Sequence, residues 1–185
     1  MYFTTLHPFL MGILVSVVMG MILTLPISSA ALSMMLGLTG IAGGAATAGC
    51  CANMVGFAVI SFRENRWGGL LAQGLGTSML QVPNIMRNWR IWIPVMAASA
   101  VTGPVSTLVF QLENTPLGSG MGTSGLVGQL TTIAHMSELG APMQNVYIGI
   151  LLVHFVLPAV LSLGFDWILR KIGWIKPGDM KLESV

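Results

Sequence analysis

Charge is scarce in this sequence. Asp, Glu, Lys and Arg together make up 8 % of its 185 residues, while hydrophobic residues make up 54 %. A soluble domain carries about 25 % charged residues, so this chain lacks the charge to cover a surface exposed to water. Histidine aside, the first charged side chain is Arg63. The scarcity excludes a soluble globular domain and indicates an integral membrane protein, with room for several spans of about 20 residues.

Basic residues are few, and they are clustered. Because no Lys or Arg precedes the first apolar run, we expect no cleaved signal peptide. The chain carries no long basic run and no nucleic-acid-binding motif, which excludes nucleic acid as a partner. The eight Lys and Arg residues fall in three clusters: Arg63 and Arg66, Arg87 and Arg90, and residues 170–181.

Cysteine is nearly absent as well. The two cysteines, Cys50 and Cys51, are adjacent in an apolar segment of small residues. Adjacent cysteines rarely bridge each other, and no zinc-ligand spacing surrounds them. We therefore expect buried thiols and no metal site. No serine, histidine and acid are arranged for nucleophilic catalysis, so the sequence offers no convincing enzyme, and we expect no cofactor.

The apolar runs predict an all-α integral membrane protein, a polytopic helical bundle with re-entrant hairpin segments. We expect a first span at about residues 8–25 and a last span at 146–165. Residues 91–110 predict a further span, which Gly103-Pro104 should kink or break. The segment 27–62 is too long for one helix and tight for two spans, so one span plus a short or broken helix is an option. Its small residues, spaced four apart, favour close helix packing.

Residues 63–90 have basic ends and a short apolar middle. The positive-inside rule favours placing both ends on the cytoplasmic side. The middle, 68–83, is short for a full span and is dotted with polar residues. These features predict a re-entrant or interfacial segment, with a short tilted span as the alternative. From this segment we include Gln81 and Asn84 among the candidate solute-binding residues.

A glycine-rich stretch, QLENTPLGSGMGTSGLVGQLTT (111–132), lies between two apolar segments. Lipid cannot satisfy irregular backbone, so such a stretch at membrane depth must be buried in protein or line a wet cavity. We therefore predict that it re-enters the membrane and forms part of a substrate path. The alternative places Glu113 in a loop at the outer headgroup layer.

Polar groups of this stretch are the main candidates for solute binding. Glu113 beside Asn114 offers a carboxylate and an amide, which suit the hydroxyls of a polyol or a cation. The main-chain amides of 122–125 are suited to cradling a polar ligand, as unwound transporter segments do. The candidate residues here are Glu113, Asn114, Gly122, Thr123, Ser124, Gln129 and His135.

Histidines are the remaining ionisable candidates. His135 and Glu138 stand one helical turn apart and could pair, with a solvated loop pair as the alternative. A metal site there would need a further ligand. His154, in the last span, is either a packing histidine or a proton relay. His7 is either a site residue or an interfacial histidine at a helix entrance.

Several strings of the sequence resemble one family. They are LHPFLMGILVSVVMGMILTLPISSAAL, GFAVISFREN, GGLLAQGLGTSMLQVPN, RIWIP and GMGTSGLVGQ. Together they are similar to the second family of phosphotransferase-system EIIC-type membrane proteins, which includes proteins similar to the perfringolysin O regulator. The resemblance implies an EIIC-like permease of the bacterial inner membrane with a carbohydrate as substrate. Sugar EIIC proteins place a Glu and a His near the substrate in hairpin segments, and the resemblance implies these places for Glu113 and His135.

The resemblance also bears on domain organisation and partners. Members of the family are longer, so the chain resembles the C-terminal half, and we expect either a homo-oligomer or pairing with an N-terminal half. We expect an EIIC-like transmembrane domain over 1–171, in contact with lipid, and a short cytoplasmic tail over 172–185, with no phosphocarrier domain. Two functions stay open: a component that binds and translocates a polar solute, or a membrane sensor that binds a ligand without net transport.

Overall fold

Helices dominate the computed structural model, which describes residues 7–183. Within this range the chain has no strand beyond an isolated antiparallel bridge between Gly40 and Asn114. The all-α architecture predicted from the apolar runs is therefore confirmed. The helices are α1 (Pro8–Thr24), α2 (Ser29–Met35), α3 (Gly40–Ile60), α4 (Phe62–Leu71), α5 (Val82–Arg87), α6 (Trp89–Phe110), α7 (Pro116–Ser119), α8 (Val127–Glu138) and α9 (Met143–Ile172).

Three helices of the described chain, α3, α6 and α9, are long and apolar enough to cross a membrane. α1 is also apolar but, with 17 residues, slightly shorter. The break predicted at Gly103-Pro104 does not occur, because α6 continues through both residues. The irregularity appears immediately afterwards as a π-helical turn at Val105–Phe110. Proline is tolerated inside membrane helices where neighbouring helices satisfy the freed backbone groups.

The segment 27–62 forms a short helix followed by one span, which is the option that the sequence raised. α2 begins after Ser28, whose hydroxyl accepts a hydrogen bond from the Ala31 N–H. The chain then turns through Gly37 and Gly40, both at positive φ, into α3. With seven residues, α2 is too short to cross a membrane.

α3 lies at the centre of the bundle, with α1, α6 and α9 packed around it. Its small residues let neighbouring main chains come very close. A Cβ placed on Gly49 would lie 1.8 Å from the carbonyl oxygen of Ser16 in α1. One placed on Gly44 would lie 1.7 Å from the carbonyl oxygen of Leu112. Glycine alone fits at such positions, so the small-residue pattern serves close packing.

The bundle has two chemically different ends. α1 and α3 run in the same direction, since Ser16 lies against Gly49 and the Thr24 hydroxyl bonds to Asn53. α6 runs in the opposite direction, because the Trp92 indole near its start bonds to Asn53, while the Thr107 hydroxyl near its end bonds to the Pro8 carbonyl at the start of α1. All Lys and Arg residues belong to helix ends and connections at one end, which we call the basic end: Arg63, Arg66, Arg87, Arg90, Arg170, Lys171, Lys176 and Lys181.

Residues 62–87 form a hairpin at the basic end, which we call the 62–87 hairpin. α4 passes into a π-helical turn at Ala72–Gly76, and the chain then breaks at the extended residue Thr77. A 3-10 turn leads from there into α5. Because of the break at Thr77, a single tilted helix over 68–83 does not form.

Residues 111–138 form a second hairpin, the 111–138 hairpin, which starts from the opposite end of the bundle. Gln111, with a φ of 47°, ends the helical run of α6. The chain then passes through α7 and a 3-10 turn and returns along α8. Its open end carries Glu113 on the outgoing arm and His135 on the returning arm.

The tips of the two hairpins meet inside the bundle. The hydroxyl of Thr123, at the tip of the 111–138 hairpin, donates to the carbonyl oxygen of Gly74 in the 62–87 hairpin. The same hydroxyl lies 3.5 Å from the sulfur of Met54 in α3. Two irregular turns, one from each hairpin, are therefore in direct contact in the interior.

The tail after α9 packs back onto the bundle. Gly173, at a φ of 85°, ends the helix and reverses the chain. Ile175, Met180 and Leu182 are buried, and the first two pack in a cluster with Phe57 of α3. The tail beyond α9 thus packs against the basic end, and the division into a transmembrane domain and a cytoplasmic tail stays a prediction.

Replacing Gly49 with alanine should destabilise the bundle, because the new Cβ must push the α1 main chain away from α3. Overpacking of this kind costs about 1–3 kcal/mol, so we expect the unfolding midpoint in detergent to fall by several degrees. Gly164→Ala is the matched control, since nothing lies within 4 Å of its Cβ position. Equal midpoints for the two variants would contradict the close approach of α1 to α3.

Candidate functional site

Glu113 and His135 face each other at the open end of the 111–138 hairpin. The distance from Glu113 Oε2 to His135 Nε2 is 3.6 Å, and both side chains are partly buried. Glu138, which stands one helical turn from His135, is exposed and is not the partner. The pairing within α8 that the sequence raised is thus replaced by a pairing between the two arms of the hairpin. Protonation of His135 would make this contact an ion pair.

A cavity of about 430 Å³ opens beside this pair, between the end of α6 and the start of α9. Its volume lies within the roughly 300–1,000 Å³ range of small-molecule sites. Three polar side chains line it, Gln111, Glu113 and Asn145, among apolar walls. A second cavity of about 330 Å³ is lined in part by Pro8, Gly40 and Glu113. Glu113 therefore borders two cavities.

Asn114 is fully buried and holds the hairpin in place. Its Nδ2 donates to Thr47 Oγ1 of α3 at 2.8 Å and to the Gly128 carbonyl of α8 at 3.1 Å. Its main chain exchanges two hydrogen bonds with Gly40 at the start of α3. This predicted site residue thus joins both arms of the hairpin to α3, while its neighbour Glu113 faces the cavities.

The tip residues Gly122, Thr123 and Ser124 lie away from these cavities. Gly122 has a φ of 55°, and a Cβ there would lie 2.9 Å from Cys50 of α3. Thr123 is buried in the contact between the two tips, and Ser124 is half-buried. The N–H of Ser124 donates to Met121 within the hairpin itself. That these residues cradle a ligand stays a prediction.

Gln129 joins α8 to α3 and α9 in the interior. Its Nε2 lies 3.2 Å from Cys51 Sγ and 3.2 Å from His154 Nδ1. Within residues 7–183, neither Gln129 Oε1 nor His154 Nε2 has a hydrogen-bond partner. From its sequence position, His154 is expected to be either a packing residue or a proton relay. The structure adds that it lies in a π-helical turn, Leu151–Val156, and bonds to the hairpin.

Gln81 and Asn84 lie at the basic end, remote from the Glu113–His135 pair. Gln81 Nε2 donates to the carbonyl of Met180 at 3.1 Å, and Asn84 Nδ2 donates to that of Lys181 at 3.0 Å. Both amides are thus engaged with the tail, and solute binding by them stays a prediction. The predicted site residues fall in three places: the cavity, the interior and tip of the 111–138 hairpin, and the basic end.

Two cavity residues were missed by the sequence analysis. Gln111 is the first residue of the glycine-rich stretch, and Asn145 lies in the first turn of α9. The polar side chain of Asn145, just after Pro142 and ahead of an apolar run, was the available signal. Local pattern could not place it next to Glu113, because the two are brought together by tertiary packing alone. His7, the other histidine considered, is exposed before α1.

The comparisons with known proteins identify the family. Residues 1–182 match the family described as Phosphotransferase system, EIIC. The chain belongs to this EIIC family. No curated protein and no solved structure matches it. The EIIC match spans both hairpins and reaches Leu182 in the tail, so the resemblance noted in the sequence is confirmed. This EIIC protein is a permease-like membrane component of the phosphotransferase system.

Replacing Asn114 with alanine should destabilise this EIIC protein. The substitution removes the donor to Thr47 and Gly128, and a buried polar group left unsatisfied costs about 1–3 kcal/mol. Unfolding in detergent, followed by intrinsic fluorescence, should show a midpoint several degrees lower. Gln111→Ala, at an exposed amide only a few residues away, is the control and should leave the midpoint unchanged. A drop of the same size in both variants would show that Asn114 has no special role.

Proposed function

We propose that this EIIC protein binds a polar solute, a carbohydrate, beside Glu113 and His135 and translocates it across the membrane. The observation that carries the proposal is the Glu113–His135 pair, whose carboxylate lies on the wall of a cavity of about 430 Å³. Ionisable residues within membrane segments are energetically costly and therefore mark functional sites. The carbohydrate as solute class rests on the EIIC family.

The chemistry of the cavity suits a sugar. A carboxylate accepts hydrogen bonds from neighbouring hydroxyls, and such charge-assisted bonds are stronger than neutral ones. The amide of Asn145 on the cavity wall and the imidazole of His135 next to the Glu113 carboxylate offer further donors and acceptors. Apolar walls, formed by Phe110, Met136 and Val146 among others, suit the C–H faces of a sugar ring.

Translocation would require the two hairpins to separate. We propose that both re-enter the membrane, since their irregular backbone is sheltered by protein. The contact of Thr123 with Gly74 lies between the cavity and the basic end. Opening this contact would connect the cavity to the basic end, and closing it would isolate the solute, as in alternating access.

Charge suggests the orientation in the membrane. The positive-inside rule favours a cytoplasmic basic end, which places the C-terminal tail in the cytoplasm and the Glu113 cavity toward the outside. The bacterial inner membrane is the location that the EIIC family suggests.

About half of the apolar stretch of α6 and more of that of α9 are uncovered in the single chain. Lipid and either a second copy or an N-terminal half would cover these surfaces.

A second candidate function is a membrane sensor that binds the same solute without net transport. The contact between the hairpin tips favours it, because the buried Thr123 hydroxyl holds the two hairpins together. Both candidates share the cavity, so binding alone does not separate them. Flux does: uptake into proteoliposomes is expected of a permease, while binding without uptake is expected of a sensor.

Glu113→Gln and His135→Asn should weaken solute binding. Loss of a hydrogen bond to a charged group costs about 1.5–3 kcal/mol, so affinity should fall about 10- to 100-fold. The solute is first found by thermal stabilisation of the parent protein with a panel of hexoses, hexitols, amino sugars and disaccharides. Uptake of the radiolabelled hit into proteoliposomes is then compared for the parent and both variants.

Glu138→Gln is the matched control for this experiment. It removes a carboxylate from α8, the helix that carries His135, at an exposed position that does not line the cavity. Its binding and uptake should match those of the parent. If Glu138→Gln and Glu113→Gln behave alike, or if no member of the panel stabilises the protein, the cavity is not the solute site.

A further inference from the structure

The tail after α9 is held by the 62–87 hairpin through main-chain hydrogen bonds. Asn65 donates to the Met180 carbonyl at 2.8 Å and accepts from the Leu182 N–H at 2.8 Å. The two carboxylate oxygens of Glu64 accept from the N–H groups of Gly178, at 3.1 Å, and Met180, at 2.9 Å. These side chains bind the main chain of the tail, and main-chain hydrogen bonds also hold peptides in peptide-binding grooves.

Two apolar side chains anchor the same segment. Met180 is 0 % and Leu182 is 4 % exposed, while Lys181 between them is exposed. The tail turns at 177–180, and the residues at and after the end of the turn direct both apolar side chains into the protein. Met180 packs against Phe57 of α3 and Ile85 of α5. The tail is therefore wedged between the hairpin and the central helix.

An ion pair with Arg170 holds the Glu64 carboxylate in position to bind the tail. Arg170, near the end of α9, lies 3.3 Å from Glu64 through Nη1 and 2.7 Å from Asp166 through Nε. All three side chains are largely buried, so the pairing is less screened than a surface ion pair. By contrast, the exposed pair of Arg87 and Glu183 contributes little.

A chain of buried amides links the tail to the hairpin tip. Gln81 Nε2 donates to the Met180 carbonyl at 3.1 Å and to Gln73 Oε1 at 2.8 Å. Gln73 immediately precedes Gly74, whose carbonyl accepts the Thr123 hydroxyl. Gln81 and Gln73 are both 0 % exposed. Loss of the tail would leave a buried amide without one partner, which favours rearrangement of the hairpin.

We propose that residues 178–183 are a strap that regulates the permease by holding the 62–87 hairpin with its tip against the 111–138 hairpin. Release of the strap removes the partner of Gln81, loosens the 62–87 hairpin and separates Gly74 from Thr123. That this separation opens a solute path rests on the function proposed above. The link from strap to tip stands on the hydrogen bonds alone.

Hydrogen–deuterium exchange of the full-length protein in detergent tests the link. Met180→Asp with Leu182→Asp places charges at two buried positions and should expel the strap. Exchange should then rise about tenfold or more at 72–78 and 120–126, the two tips, as expected for local opening. Lys181→Asp is the matched control, since its side chain is already exposed, and it should leave both tips protected. Faster exchange confined to 174–183 would overturn the proposal.

A second variant covers the case in which the double variant does not fold. Loss of protection along α3, residues 40–60, would reveal that outcome. Asn65→Ala removes two bonds to the strap, at Met180 and Leu182, and keeps both apolar anchors. Faster exchange at 72–78 together with 174–183 supports the strap, whereas a rise confined to the tail, or no rise, overturns it. No solute is involved, so failure here is distinct from failure of the Glu113 experiment.

Discussion

The close approach of main chains around α3 is the constraint on which the rest of the structure depends. In lipid, helices gain no hydrophobic free energy by associating, so packing and hydrogen bonds hold them together. The main chain of α1 packs against Gly49, and the main chain at the start of the 111–138 hairpin packs against Gly44. Both main chains come so close that no side chain would fit at these glycines. Because the side chains of α3 are small on the face that carries these glycines, the irregular 111–138 hairpin can pack closely against it.

Because the 111–138 hairpin is buried against α3, its polar groups need hydrogen-bond partners within the protein. Asn114 bonds to Thr47 and Gly128, and Thr123 bonds to Gly74. Glu113 stands apart, since its carboxylate faces two cavities. Asn114 and Thr123, which have partners within the protein, hold the hairpin in place, whereas Glu113 is accessible from the cavities.

Sequence patterns predicted what composition and length control, and they missed what tertiary contact controls. The spans follow from apolar runs, and α2 with α3 follows from the length of 27–62. Helical spacing suggested Glu138 as the partner of His135, but such a pair on an exposed helix is worth only about 0.2–0.5 kcal/mol. Packing of the hairpin arms gives His135 the partner Glu113 instead. Gln81 bonds to a tail far along the chain, which no local pattern encodes.

Accessibility along the 111–138 hairpin in intact membranes tests the central claim most directly. Single cysteines are introduced at positions 111, 119, 123 and 134 and labelled with a membrane-impermeant maleimide; Cys50 and Cys51 are buried and give a low background. A hairpin sheltered inside the bundle predicts rapid labelling at 111 and 134 and protection at 119 and 123 until the protein is denatured. Equal, rapid labelling at all four positions from one side would show an ordinary external loop and contradict the account.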